Sequence, residues 1–227
     1  NLDYNQNGKH VNDIEDIYGI WIWDDIMMGI VNSSGVKCAT ITEGKLSYTL
    51  NTEKFINTFE QFSDYAFNQD LTCAYQRSGY DKQYGQIGFN EGRGLFLLSY
   101  LWDATAFRDM EDDFGIVPYP KYDEKQADYL SYNLGTSYMA ILKSAVNAEM
   151  SAAVMEALSA ANHKTVVPVL YEDALKDKYS RDPVTAEMLD IMQSRVRFDF
   201  AYVHEASLAN VANKYFDAIA AGSPVAS

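Results

Sequence analysis

Cysteine, histidine and proline are scarce in this chain: 2, 3 and 5 among 227 residues. Cys38 and Cys73 form no CxxC pair and no Cys/His ligand spacing, which argues against structural zinc. They allow two readings: a disulfide contributing on the order of 3–4 kcal/mol in the chain-entropy model, or two unpaired, buried small hydrophobes. His10, His163 and His204 sit in no recognised motif. No P-loop or dinucleotide glycine fingerprint is present, and the isolated Gly92-Arg93-Gly94 is not one. Positive charge is also sparse. With 18 Lys+Arg against 32 Asp+Glu and a net charge of -14, nucleic acid and anionic membrane surfaces are poor partners. The longest apolar runs, Ile20–Trp23 and Leu95–Leu98, fall far short of the roughly 18 residues a membrane span needs.

What is present is the composition of a packed core. Hydrophobic residues make up 48% and charged residues 22%, which excludes a disordered chain. The length allows one large domain or two small ones. Aromatics are plentiful, with 17 Tyr, 11 Phe and 3 Trp. Such rings either stack on neutral polar ligands or fill the core.

The hydrophobic pattern predicts a mixed α/β architecture. Residues 1–16 read as a polar loop and Ile17–Trp23 as the start of the core. Val36–Ile41 and Lys45–Leu50 predict a hairpin around Glu43-Gly44. Asn51 is placed to cap a helix carrying Phe55, Phe59, Phe62 and Ala66 on one face. Gln86–Asn90 and Phe114–Pro118 read as strands. Gly92–Tyr100 is either a strand or a helix start, and Tyr129–Leu142 is extended. Further helices follow, on Met150, Val154, Ala157 and Leu158, then from Asp182-Pro183 through Met188, Ile191 and Met192. The last carries Leu208, Val211, Tyr215 and Ile219, with Gly222 as its cap.

Several groups carry candidate chemistry. Trp21 and Trp23 alternate with Ile20 and Ile22, so on a strand they share a face with Asp25. Trp102-Asp103 pairs an aromatic face with a carboxylate, the two kinds of group that hold a sugar's C–H face and its hydroxyl rim. The alternative for each Trp is core packing. Tyr119 lies between Pro118 and Pro120, where a rigid turn either presents its ring or simply ends a strand. Asn133–Tyr138, small and polar, suits a hinge or a ligand-contacting loop through Asn133 and Ser137, or an ordinary turn. Asp3-x-Asn5-x-Asn7-Gly8, followed by Asn12 and Glu15, resembles a calcium loop with oxygen donors at alternate positions. One residue inserted after Gly8 shifts Glu15, and the alternative is an Asn/Gly-rich surface turn. Asp24-Asp25 and Glu111-Asp112-Asp113 supply carboxylates, but adjacent acids point in different directions and do not make the opposed pair of a glycosidase. They read as solvated faces or helix-start caps.

The order of segments resembles the extracellular solute-binding proteins of bacterial ABC importers, in their carbohydrate-type group with a two-lobed type II periplasmic-binding fold. Asp16-Ile17-Tyr18-Gly19-Ile20 resembles the way into the second lobe, and Phe89-Asn90-Glu91-Gly92-Arg93-Gly94-Leu95-Phe96 the family's strand-and-turn. Phe114 to Lys125, Phe-Gly-Ile-Val-Pro-Tyr-Pro-Lys-Tyr-Asp-Glu-Lys, resembles an "FGI-x-P-x-PK" segment. Gly135–Leu142 resembles the crossover to the first lobe, and Tyr171–Asp190 a stretch of one subgroup.

The resemblance implies a piece of a longer, signal-bearing or lipidated extracellular protein. Residues 17–132 would be the core of lobe two, 133–170 a crossover toward lobe one, and 171–227 a helical return. It implies a monomer that binds a sugar or oligosaccharide without catalysis and delivers it to a membrane permease, with no cofactor required; calcium enters only through the N-terminal loop reading. In that family the stretches holding Trp21, Trp23 and Trp102 lie near the ligand. The rival readings are a glycan-processing enzyme fragment and a ligand-free structural or adhesive surface module.

Overall fold

The computed structural model describes residues 2–9, 11–23, 26–75, 79–133, 139–171, 183–211, 213–214 and 217. Strand β1 (Tyr18–Ile22) leads into the short helix α1 (Met27–Ser33). A hairpin follows, β2 (Ala39–Thr42) and β3 (Lys45–Tyr48), paired antiparallel from Ala39 opposite Tyr48 to Thr42 opposite Lys45. Glu43 and Gly44 at its tip both have positive φ, 52° and 74°, as a two-residue turn matching strand twist requires.

Helix α2 (Glu53–Ala66) buries Phe55, Phe59 and Ala66 at the spacing the sequence predicts. Its N-cap is Thr52 and not Asn51: the Thr52 hydroxyl accepts from the Phe55 amide at 3.4 Å. Strand β4 (Thr72–Ala74), helix α3 (Gln83–Asn90) and strand β5 (Gly94–Leu98) complete the first part. β1, β4 and β5 form a three-stranded parallel sheet in the order β4-β1-β5. Trp21 stands beside Cys73 on one side and Leu97 on the other.

Neighbouring residues of β1 feed different parts of the core, as the two faces of a strand should. Ile22 joins Val31, Phe55, Phe59 and Ala74, whereas Trp21 joins Tyr18, Cys73 and Tyr75. Cys38 and Cys73 are both buried and free, so the unpaired reading holds. Buried Asp199 ties the hairpin to α7 (Phe200–Val203), accepting from the amides of Cys38, Ala201 and Tyr202.

Two predicted strands are not strands. Gln86–Asn90 is the end of α3. Gly85 and Gly88 let that helix close on the Tyr75 and Trp21 rings, and a Cβ at Gly88 would lie 2.7 Å from the Trp21 ring. Phe114–Pro118 pairs with no strand among the described residues. Its ring packs edge-on against Phe89 and Phe107 at 6.4 and 5.6 Å. The Ile116 amide donates to the Thr185 hydroxyl at 3.2 Å instead of to a ladder.

Within Tyr129–Leu142 only β6 (Ser131–Tyr132) is a strand among the described residues, paired parallel with β7 (Val196–Arg197). Helix α4 (Ala148–Lys164) carries the predicted stripe but buries none of it, leaving Met150, Val154 and Leu158 exposed. The short α5 (Val166–Pro168) follows it. Helix α6 (Pro183–Ser194) begins at the predicted Pro and buries Thr185 and Leu189, with Met188, Ile191 and Met192 half-buried. Asp182, Tyr215, Ile219 and Gly222 lie outside the described residues. The chain is thus mixed α/β.

Candidate functional site

The sheet directs attention to one edge. The chain passes from β1 to β4 on one side and then crosses over β1 to reach β5 on the other, so the direction of the connections reverses between β1 and β5. In open parallel sheets ligands bind beyond the carboxyl ends of the strands where the order switches. That rule points here to the carboxyl ends of β1 and β5. Trp23 follows β1, and a 3-10 helix (Leu101–Phe107) bearing Trp102 follows β5.

Trp102 is 69% exposed. Its neighbour Asp103 is 3% exposed and faces inward, where five donor contacts consume it. Lys82 Nζ lies 2.8 Å from Oδ2 and 3.1 Å from Oδ1. Gln86 Nε2 donates to Oδ1 at 3.1 Å, and the Tyr100 amide and Ser99 hydroxyl donate to Oδ2. Asp103 therefore positions the platform and offers no free oxygen to a sugar, a correction to its predicted contact role. Lys82 Nζ also sits 4.3 Å from the Tyr100 ring centroid and 5.7 Å from that of Trp102. A cation held over ring faces keeps them in place and polarised. Tyr119 lies beneath, its hydroxyl donating to the Ser99 carbonyl at 3.3 Å. Burial, then the nearby Tyr100 and Asp103, push its hydroxyl well above the usual tyrosine range. Tyr119 thus supports the loop more than it presents a ring.

The two remaining tryptophans divide. Trp21 is fully buried, its indole Nε1 donating to the Arg93 carbonyl at 2.9 Å and its ring edge-on to Tyr18. It is a core residue, not a cleft residue, because Gly88 and Gly94 pack directly against its ring. Trp23 is half-buried against Tyr75, ring centroids 5.4 Å apart. Asp25 and Ser137 lie outside the described residues. Asn133 is half-buried, its backbone N–H donating to the Arg197 carbonyl at 3.0 Å. It continues the β6–β7 pairing. Sequence reasoning missed Lys82, Gln86 and Tyr100, and only Tyr100, two residues before Trp102, carried a local signal.

The N-terminal loop is tightly folded. Asp3 accepts from the amides of Asn7 and Gly8 at 3.1 and 3.0 Å, and Asn5 Oδ1 also accepts from the Asn7 amide. Asn5 and Asn7 donate to Glu15 and Asp13 at 2.8 and 2.7 Å. Burial pushes the Asp13 carboxyl up, but hydrogen bonds from Asn7, Glu15 and Asn5 and the charge of Lys9 together hold it below the usual range. Asn12 is turned away: its Oδ1 accepts from the Ala74 amide at 2.9 Å, which removes it from the predicted calcium ligands. Asp16 is fully buried, with Oδ1 accepting from the Tyr4 amide and Oδ2 without a hydrogen-bond partner. Among the described residues no cluster of three or more His, Cys, Asp or Glu side chains is gathered for a metal.

A separate open groove of about 410 Å³ lies between Tyr48 of the hairpin and Leu208, Val211 and Lys214. Among the described residues its lining is mainly apolar. No protein-family model, curated protein or solved structure matches the chain. Among the described residues no helix is long and apolar enough to cross a membrane.

Proposed function

We propose that the chain is the second lobe and crossover of an extracellular solute-binding protein of the type II periplasmic-binding kind, holding a neutral carbohydrate, without catalysis, for an ABC importer. The observation that carries this reading is the exposed Trp102 ring at the switch-point edge of the parallel sheet. An indole left in solvent on a buried, hydrogen-bonded base is a ready surface for a sugar's C–H face. The segment likeness from Asp16 to Asp190 supports it. In the whole protein, a ligand bridging two lobes would favour the closed form by its differential affinity, and a permease would read that form. A thermal-shift screen against neutral mono- and oligosaccharides tests the reading. A saturable shift with one sugar class supports it, and silence from this chain and from its full-length parent rejects it.

One observation favours calcium in the N-terminal loop, namely the unpartnered buried Oδ2 of Asp16 beside Tyr4. Asp3, Asn5, Asn7 and Glu15 carry the hard oxygens that calcium prefers; Asp3, Glu15 and Asp16 are not gathered into one cluster in this structure, so calcium would have to draw the loop around itself. Calcium would stiffen the loop; the chemistry of sugar binding does not pass through it. A melting-temperature rise with calcium chloride but not magnesium chloride, lost in Asp16→Asn, is the expected result.

A surface-module reading has its own support in the apolar side chains left open on β5, Leu95 and Phe96, and on α4. Concentration-dependent self-association or capture on a surface, with no response to any sugar, would favour it over the transport reading.

A further inference from the structure

Asn7-Gly8 is the one Asn-Gly step in the chain. The side-chain carbonyl carbon of an asparagine can be reached by the backbone nitrogen of the next residue, closing a small ring. A side chain on that next residue shields the nitrogen, and glycine has none. Two other asparagines precede Ser or Ala, and both are held. Asn32, before Ser33, is 3% exposed. Asn147, before Ala148, caps α4, its side chain accepting from the Met150 amide at 2.9 Å. Asn7 and Gly8 are exposed, and nothing lies within 4 Å of where a Cβ on Gly8 would stand.

The turn around this step engages each atom that would take part. The Gly8 N–H donates to Asp3 Oδ2 at 3.0 Å. The other oxygen of that carboxylate accepts from the Asn7 amide at 3.1 Å, which keeps the acid beside the step. The Lys9 N–H donates to Asn7 Oδ1 at 2.7 Å. Asn7 Nδ2 donates to Asp13 Oδ2 at 2.7 Å. The attacking nitrogen thus has an acceptor for its hydrogen, the carbonyl oxygen has a donor, and the departing nitrogen has an anchor. Acyl transfer uses the same parts: a proton acceptor, a donor where negative charge develops, and a held geometry.

We propose that Asn7-Gly8 is a self-modifying site, at which the loop converts Asn7 to aspartate and isoaspartate. The Gly8 nitrogen bonds to Asn7 Cγ as its hydrogen passes to Asp3. The bond from Cγ to Nδ2 breaks, that proton passes on to the departing nitrogen, and ammonia leaves a cyclic imide. Water then opens the imide. Attack at Cγ gives aspartate, and attack at the backbone carbonyl carbon gives isoaspartate. Either product replaces the Asn7 donor with a carboxylate facing Asp13, so a hydrogen bond becomes a like-charge contact. Isoaspartate also lengthens the main chain where Asp3 binds two successive amides. Modification therefore loosens the loop. The inference stands apart from the sugar and calcium readings.

The test incubates the native protein at neutral pH, with a chelator, in heavy-oxygen water. Peptide mass spectrometry then maps every asparagine. A peptide with the sequence of residues 1–14 runs alongside until it has converted. The expected result is conversion at Asn7 ahead of every other asparagine, with one heavy oxygen gained and both isomers resolved by chromatography. Asp3→Asn keeps an oxygen for the amides but is no base, and it should slow conversion at least about threefold. Asn7 unchanged in the native protein once the peptide has converted overturns the site, and so does earlier conversion at another asparagine. Conversion in Asp3→Asn as fast as in the parent, or faster, overturns the mechanism, since bare exposure then explains it. Asn7→Asp should melt below the parent; an equal melting temperature overturns the loosening.

Discussion

Lys82 holds both carboxylate oxygens of Asp103, at 2.8 and 3.1 Å, across the gap between α3 and the 3-10 helix that carries Trp102. The side chain of Asp103 is 3% exposed and that of Lys82 30%, so the pair is only partly screened by water. Removing the acid strands the ammonium over the Tyr100 ring and also strips the partners of Gln86 and Ser99. Asp103→Ala should therefore lower stability by about 2–3 kcal/mol in urea unfolding, less than the full cost of breaking a sealed pair. A loss below about 0.5 kcal/mol would mean that the network does not hold the platform.

The approach of α3 to the sheet gives a second prediction. A methyl group at Gly88 would lie 2.7 Å from Trp21, inside ordinary contact. Because Trp21 is fully buried and its indole is bonded to Arg93, the ring has little room to yield. Gly88→Ala should cost about 1–3 kcal/mol, although alanine is the better helix former. A neutral or raised melting temperature would contradict this packing.

These two sites also show what a sequence can disclose. β1, the hairpin and α2 were legible because their signals are local: an aromatic run, a Glu-Gly tip, and phenylalanines at helical spacing. α3 was misread because Ile87 and Phe89 alternate with smaller residues, and two glycines argue against a helix until the rings they accommodate are known. Phe114–Pro118 reads as a strand by composition, yet its partners are the Phe89 and Phe107 rings and Thr185, far away in sequence. At the candidate site Trp102 was legible as an aromatic beside a carboxylate. The inward turn of Asp103 was not, since it depends on Lys82 and Gln86 from another element. Trp21 and Trp23 have the same sequence signature, and only the glycines packed against Trp21 separate them.

Asp199 links stability to pH. Burial pushes its carboxyl above the ordinary value of 3.8, against the lowering effect of hydrogen bonds from Cys38, Ala201 and Tyr202. The fold therefore binds this proton more tightly than the unfolded chain does. The contribution is complete below the unfolded value and is lost as pH rises through the raised folded value. Asp199→Asn cannot titrate. The parent's advantage over this variant in urea midpoint should shrink as pH rises from about 4 to 7. A constant gap would show that Asp199 does not titrate differently in the fold.

The cysteines give a chemical check. Burial, with Asp13 and Asp16 adding and Arg93 opposing, pushes the Cys73 thiol up to about 12. Burial and then Asp199 push Cys38 higher still. Little reactive thiolate forms at such sites. Native protein at pH 8 should leave both unmodified by an aromatic disulfide reagent, and denatured protein should release both. No free thiol after denaturation would establish a disulfide and contradict the fold described.

Binding at the Trp102 platform is the central claim. Titration calorimetry with the sugar found by screening, on the parent and on Trp102→Ala, tests it most directly. Because the ring is 69% exposed, its removal should leave the melting temperature nearly unchanged. Affinity should fall at least tenfold, equivalent to about 1.4 kcal/mol of lost stacking. Equal affinities in the two proteins would contradict the account and place the ligand, if there is one, elsewhere on the chain.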